Sequence, residues 1–453
     1  MSLFDEMNIV SSEETVGFNT GTLFDLGTGS YDQGVNRQWI LNGGLGSFIT
    51  GVVGMNGMYK TTFAWSAIIR SMGIYPGTEC IIDDTENTLD RDKERALNMA
   101  GEFTVDPSRI VWLKGIDYDL DNLYAFVKEI CLKKAAHKND YMVETPFIDK
   151  KTLKPLRVWM PTYLFIDSLT ELISAAEEEM INGPKAAGLG EKANNTIYML
   201  DGNKKTILIR SLRRLAQQYG LIVVCTGHYD KKIQMDMYSS NPKETQFGKN
   251  EYSTRGCGSK FKFLTGLYAR TQASLLQDSN KEALYSWGAT PNTDVNEVQV
   301  YIERCKANRG GSITPFVVSQ SIGLLNDVSN YHYLRINDYF GLNGNKQKQQ
   351  PFLTPEITIS RNTIREVADA NAQVRRALEI AAQLKFIQNN WITNNIPYNV
   401  NIAPQALFDG LMSDKNKNLI ERVLNSRGYW TYAKDDKEYL SIFEIVDLIN
   451  KNK

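Results

Sequence analysis

An α/β fold built on a mostly parallel sheet follows from three features of the sequence. Short β-branched or apolar runs alternate with stretches that carry helical spacing. Within the runs, consecutive positions are apolar, as in strands covered on both faces. The first run leads into a glycine-bounded turn that ends in Lys and Thr.

Residues 1–19 are polar with scattered apolar positions and read as an arm or short helix. A glycine-rich stretch from Gly21 to Gly46 follows. Strands are then predicted at Ser47 to Val53, Glu79 to Asp84, Ile110 to Leu113, Thr162 to Asp167 and Leu221 to Thr226. Helical spacing runs from Lys60 to Met72 and from Lys205 to Tyr219. Two stretches break the rhythm. Residues 177–204 contain Gly183-Pro184, Gly188 and Gly190 and read as a mobile loop. Residues 229–257 mix Lys, Tyr, Ser, Asn and Gly with no apolar period, and loops of this length are usually functional or disordered. Residues 343–362, rich in Asn, Gln, Lys and Pro, read as a linker. One long amphipathic helix is expected over 361–395, then shorter ones near 403–412, 416–426 and 440–450. The stretch Asn425 to Tyr432 hints at a small winged-helix unit; a plain helical packing domain is the other reading.

The chain has 453 residues, enough for two or three domains. With 42 % hydrophobic and 23 % charged residues it has the balance of an ordinary globular protein. A formal net charge of −1 means that any nucleic-acid surface must be local. The five cysteines are scattered with no C-x-x-C pair, which argues against a zinc ribbon or a disulfide framework and favours a reducing cytoplasm. No basic stretch followed by an apolar one opens the sequence, so no signal peptide is expected. No apolar run is long enough to cross a bilayer, and no membrane partner is expected.

The turn Gly54-Met55-Asn56-Gly57-Met58-Tyr59-Lys60-Thr61 lies between a predicted strand and a predicted helix, the context a P-loop requires. Its backbone N–H groups and the helix N-terminus carry partial positive charge and suit phosphate. Gly54, Gly57, Tyr59, Lys60, Thr61 and Thr62 are the expected nucleotide contacts. Lys60 would reach the β- and γ-phosphates of ATP, and the Thr61 hydroxyl would ligate Mg²⁺. The usual motif has Gly before the Lys; here it is Tyr59. A P-loop also requires a strand-end Asp on Mg²⁺, supplied by Asp167 after Leu164-Phe165-Ile166. A group that polarises the attacking water is supplied by Glu86 in Asp84-Thr85-Glu86. In a doubly wound sheet these strand ends converge on one crevice.

From about residue 20 to 330 the sequence resembles the RecA-type recombinases, most closely the UvsX-like branch of bacteriophages. Thr20-Gly21-Thr22-Leu23-Phe24-Asp25 resembles the entry to that core, and Asp84-Thr85-Glu86-Asn87-Thr88-Leu89-Asp90 its D-x-E-x-x-L-D segment. The resemblance implies a RecA-like P-loop ATPase core at 33–335, an oligomerisation arm at 1–32 anchored by Phe4, Met7 and Ile9, and a linker plus mainly helical domain at 336–453. It implies that Glu86 activates water and that Asp90 contacts adenine, with Lys93 where the family often has Tyr. An aromatic before the P-loop Lys is in keeping with the phage branch. His228, ending Thr226-Gly227-His228, takes the place of the γ-phosphate sensor. Arg255 to Phe263 resembles the glycine-rich turn and K-F segment that close the second DNA-binding loop. Arg304 and Lys306 take the places of two cations that reach the ATP of the adjacent subunit.

The same resemblance makes 177–204 and 229–256 the DNA-binding loops. Lys231, Lys232, Lys249 and Arg255 stand there among Tyr229, Tyr238, Phe247 and Tyr252, and cations beside aromatics suit single-stranded DNA. The expected function is an ATP-dependent DNA recombinase. It would form a helical homo-polymer, with a ring as the alternative, on single-stranded DNA and pair it with duplex DNA, with single-strand-binding and loader proteins as further partners. The host cytoplasm is the expected location for a phage protein. Two other readings are a hexameric replicative helicase and a DNA-scaffolding filament that binds ATP but hardly hydrolyses it. The helicase class usually carries a helical domain ahead of its motor, whereas residues 1–53 alone precede this turn. Glu86 argues against the scaffold.

Overall fold

The structure, a computed structural model, describes residues 16–87, 89, 93–99, 102–113, 119–150, 152–174, 191–231, 252–257, 260–278, 280–285, 294–308, 310–390, 403–413, 417–435 and 437–451. Among these, one path of strands organises the molecule. It comprises β1 (Ile49–Gly54), β2 (Glu79–Asp84), β3 (Ile110–Leu113), β4 (Thr162–Asp167), β5 (Leu221–Lys231), β6 (Leu267–Leu275), β7 (Val295–Cys305), β8 (Ile313–Ser319) and β9 (Gly323–Leu324). Across the sheet the order is β9-β8-β7-β6-β1-β5-β4-β2-β3, with Tyr252–Thr254 added along the end of β5. Every ladder from β3 to β6 is parallel. Those from β6 to β9 are antiparallel. The mostly parallel α/β sheet expected from the sequence is therefore present.

Helices cover both faces: α1 (Lys60–Ile74), α2 (Leu123–Ala136), α3 (Glu191–Tyr219), α4 (Asn326–Ile336), α5 (Ile364–Ala370) and α6 (Ala372–Asn390). Alternation along the strands divides the core. Tyr163 and Phe165 of β4, with Ile222 and Val224 of β5, join the cluster around α1. Leu164, Ile166, Leu221, Val223 and Cys225 join the cluster under α2 and α3. Because both faces are covered, the strands read as unbroken apolar runs. Helix α1 is buried along its length, from Phe63 to Met72. A helix buried all round needs a cover on its outer side as well.

Segments from both ends of the described chain lie in the same apolar cluster as α1. Val16, Phe18, Phe24 and Tyr31 lie in the same apolar cluster as Leu378, Trp430 and Ile449. Residues 16–32 are thus packed into this chain; Phe4, Met7 and Ile9 lie outside the described residues. The Thr20 to Asp25 segment is a buried turn. Thr22 and Asp25 form a capping box, and the Asp25 carboxylate also accepts the Thr20 and Gly21 amides at 2.8 Å. Burial still pushes Asp25 up to about 6. Arg70 of α1 donates to Thr20 O at 2.9 Å and pins the turn to the helix.

Three expectations are corrected in detail. Residues 191–204 belong to α3. Their polar side chains read as loop, but a buried Lys205–Asp201 pair one turn apart (3.0 Å) and Thr206 on Gly202 O (2.9 Å) satisfy the helix. The linker expected at 343–362 is packed structure. Leu342–Gly344 pairs with Gln349–Pro351, and Gln349, 1 % exposed, bonds both ways with Ile359. The helix expected over 361–395 is two helices broken at Asn371, whose side chain accepts from the Gln373 and Val374 amides and so starts α6. Helices at Pro404–Met412, Lys417–Leu424 and Ile442–Lys451 match the expected ones.

Candidate active site

Strand register sets the site. Asp167 lies opposite Asp84, and His228 lies opposite Gly54, so β1, β2, β4 and β5 end together at their carboxyl edge. The crossover from β1 passes over β5 and β4 to reach β2, whereas β5 leads to β6 on the other side of β1. Such a switch in direction leaves a crevice at the strand ends. A cleft of about 980 Å³ opens there, lined by Gly57, Lys60, Thr61, Thr62, Glu86 and His228 among others.

The turn after β1 is tight and carries Gly54 and Gly57. Gly57 has φ 74°. A side chain at Gly54 would bring its Cβ to 2.7 Å from Thr271 Oγ1, so β6 packs too closely for any other residue. Tyr59 caps α1 in the left-handed region, at φ 56° and ψ 29°. This position wants glycine, and a non-glycine residue there costs about 1–2 kcal/mol. Tyr59 is held in place by its hydroxyl, which accepts from Asn296 Nδ2 of β7 at 2.6 Å. Its exceptional place in the motif thus has a local anchor.

Lys60, first residue of α1, points its ammonium to Met55 O at 3.2 Å and His228 Nδ1 at 3.4 Å. Burial lowers its pKa, while Glu86 and then Asp167 act to raise it. The Thr61 hydroxyl donates to Asp167 Oδ1 at 3.0 Å, and Thr226 donates to the same oxygen. Asp167 is fully buried, which pushes it up to about 7 despite those two donors. His228 Nε2 lies 2.9 Å from Glu86 Oε1. With the ammonium donating to Nδ1, Nε2 carries the proton and donates to the carboxylate. The Thr85 hydroxyl accepts from Ser168 N at 2.8 Å and donates to Ser168 O at 3.1 Å. It ties the end of β2 to that of β4 and so sets Glu86 beside Asp167.

The site fits Mg²⁺ on the chemistry of its donors. One hydroxyl and one buried carboxylate meet at 3.0 Å. Mg²⁺ keeps several waters and binds through one or two carboxylates plus substrate phosphates, so no larger protein cage is required. A buried carboxylate whose charged form is disfavoured by desolvation is also relieved by a dication.

Gly54, Gly57, Tyr59, Lys60, Thr61, Thr62, Glu86, Asp167 and His228 are therefore brought together. Arg304 and Lys306 are not. Arg304 lies opposite Tyr268, which lies opposite Gly51, roughly 10 Å down the sheet from Gly54 at about 3.3 Å per residue. It donates to Lys262 O at 3.2 Å and to Thr265 O, and Lys306 lies just past β7. Burial and then the neighbouring Arg213 lower both pKa values. Asp90, Lys232 and Lys249 lie outside the described residues, as does the Lys231 side chain; Arg255 is exposed. Thr85, Thr226 and Asn296 escaped the sequence reading. Thr226 alone had a signal: it stands two residues before His228, on the same side of a strand.

No protein-family model matches the chain, and no curated protein is similar to it in sequence. Among the described residues no helix is long and apolar enough to cross a membrane.

Proposed function

We propose that this protein is an ATP-dependent DNA recombinase that binds Mg²⁺-ATP at the β1–α1 turn and hydrolyses it between subunits of a polymer on single-stranded DNA. The observation that carries the reading is the meeting of Lys60, Thr61, Asp167, Glu86 and His228 at one strand edge. Thr61 and Asp167 would hold Mg²⁺, which would neutralise phosphate charge there. Lys60 leaves His228 for the γ-phosphate. His228, no longer bridging Lys60 and Glu86, turns to the phosphate and frees Glu86. Glu86 then orients the attacking water and accepts its proton.

The position of the second candidate DNA loop supports the DNA reading. Tyr229–Lys231 pairs antiparallel with Tyr252–Thr254, so the stretch between them leaves directly from the strand that carries His228. The resemblance of the sequence to RecA-type recombinases supplies the choice of strand exchange over unwinding. Strand-exchange and duplex-unwinding assays run side by side test that choice. Exchange without unwinding is expected, along with ATP turnover stimulated by single-stranded DNA and open helical filaments in electron micrographs. Unwinding with closed rings would establish the helicase instead. A Lys231→Ala/Lys232→Ala/Arg255→Ala protein should bind DNA more weakly, with a shallower salt dependence. Unchanged DNA affinity in that protein, with no stimulation of the wild type, sinks the DNA assignment.

A further inference from the structure

We infer that Thr170 is a positioning residue that couples the nucleotide cleft to the return strand Tyr252–Thr254 and to α3; this rests on the reading above that the chain is a DNA-dependent ATPase. Thr170 lies just beyond β4 and outside the cleft. Its hydroxyl accepts from the His228 amide at 3.0 Å. The same hydroxyl donates to Arg255 O at 3.2 Å and lies 3.6 Å from Cys257 Sγ. Arg255 N in turn donates to His228 O at 2.9 Å. One side chain therefore bridges the residue that faces Lys60 and Glu86 and the segment that returns from the candidate DNA loop.

The other side of Thr170 is held from α3. The Lys205 ammonium donates to Thr170 O at 2.9 Å and pairs with Asp201 at 3.0 Å, with the two side chains 2 % and 7 % exposed. A buried ammonium committed to one carbonyl fixes that carbonyl in place. Packing adds a second constraint. Gly256 has φ 63°, and a Cβ there would sit 3.3 Å from Thr170 O and 3.4 Å from Thr170 Cγ2. Because Thr170 holds the His228 main chain, a shift of that main chain when His228 turns to a phosphate would be passed to Thr170, and with it to Arg255, Gly256 and α3. Coupling of this kind works through a contiguous, tightly packed set of contacts.

The substitution Thr170→Val keeps the methyl that meets Gly256 and removes the hydroxyl; Thr170→Ser restores the hydroxyl. Amide hydrogen exchange of the 252–257 segment is measured with and without Mg²⁺ and a slowly hydrolysed ATP analogue. Wild-type protein should slow about tenfold in exchange when the analogue binds, Thr170→Val less than twofold, and Thr170→Ser should follow the wild type. In parallel, Thr170→Val should turn over ATP without DNA within about twofold of wild type. It should require about tenfold more single-stranded DNA for half-stimulation. Equal protection in wild type and Thr170→Val overturns the coupling and leaves the ATPase reading standing. So does a wild type that binds the analogue with no change at 252–257, a measurement that needs no variant to fold. A wild type that does not bind the analogue overturns both.

Discussion

Thr61 and Asp167 share one hydrogen bond of 3.0 Å across the end of the sheet, and the acceptor oxygen is fully buried. Two consequences follow for Asp167→Asn. The affinity for Mg²⁺ in the presence of ATP should fall about 10–100-fold, the usual loss when a partner that holds a metal through water is removed. Stability should move the other way. Asp167 is raised from 3.8 to about 7 in the folded protein. A raised acid favours the fold below its unfolded pKa, and that stability is lost as pH rises to about 7. Without Mg²⁺, Asp167→Asn should therefore gain melting temperature over wild type as pH rises from about 4 to about 7. Melting curves across that range check the sign; a difference between variant and wild type that does not move in the variant's favour as pH rises refutes it.

Glu86 is held by His228 at 2.9 Å and sits beside Asp167. Glu86→Gln keeps the shape and removes the carboxylate that is proposed to act as base. Turnover should fall about 10²–10⁴-fold, the usual contribution of general base catalysis, with ATP affinity nearly unchanged. Parallel measurement of turnover and equilibrium nucleotide binding separates these. Turnover equal to wild type would remove Glu86 from the chemistry and favour a scaffold that only binds ATP.

Arg304 lies level with Gly51 and donates to Lys262 O and Thr265 O, and Lys306 follows it past β7, so neither is directed at the cleft of its own chain. Arg304→Ala should lower turnover by about 10³–10⁵-fold if its guanidinium serves a neighbour's ATP. Mixing it with Lys60→Ala, itself inactive, then regenerates interfaces that combine an intact turn with an intact cation. Activity in the mixture, absent from each variant alone, is the expected result. A mixture as inactive as its components places Arg304 in a structural role, through its bonds to Lys262 O and Thr265 O.

Tyr59 occupies a left-handed backbone position. Glycine adopts that conformation freely, and a β-branched residue does so least well. Tyr59→Gly should retain nucleotide binding. Tyr59→Val should weaken it about tenfold, from a strain of about 1–2 kcal/mol. Titration of both with a fluorescent ATP analogue decides; equal affinities would show that the conformation of the turn is not what binds phosphate.

Much of this architecture was legible in the sequence because buried parallel strands read as apolar runs with punctuating turns. Gly54 and Asp167 could be placed at strand ends and Lys60 at a helix start from local pattern alone; His228 was placed through the resemblance. Thr85 and Asn296 could not be placed, because their partners Ser168 and Tyr59 are distant in sequence and a hydroxyl or amide carries little signal of its own; Thr226 had only its place two residues before His228. The segment 343–362 misled for a related reason. Its polar composition reads as solvated, yet Gln349 is buried with its amide groups paired to Ile359 and Tyr331. The C-terminal segment was read as separate because its helices carry apolar faces that say nothing about which surface they meet.

Part of that surface is the C-terminal end of α1, and Trp430 is where the prediction is sharpest. The indole is 1 % exposed, with ring centroids 4.8 Å from Tyr75, 5.4 Å from Phe147 and 5.6 Å from Phe18. Thr431 Oγ1 donates to Ile74 O at 2.6 Å, and the Tyr432 hydroxyl to Pro76 O at 2.9 Å. These contacts join three distant stretches of chain at the C-terminal end of α1. Trp430→Ala should cost about 3–5 kcal/mol, the range for deleting a buried aromatic. Tyr432→Phe removes one half-exposed hydrogen bond and should cost about 1 kcal/mol. If the C-terminal segment and the sheet form one cooperative unit, Trp430→Ala lowers a single melting transition. Two transitions in the wild type, with the variant shifting one alone, would show that the segment folds as a unit apart from the sheet.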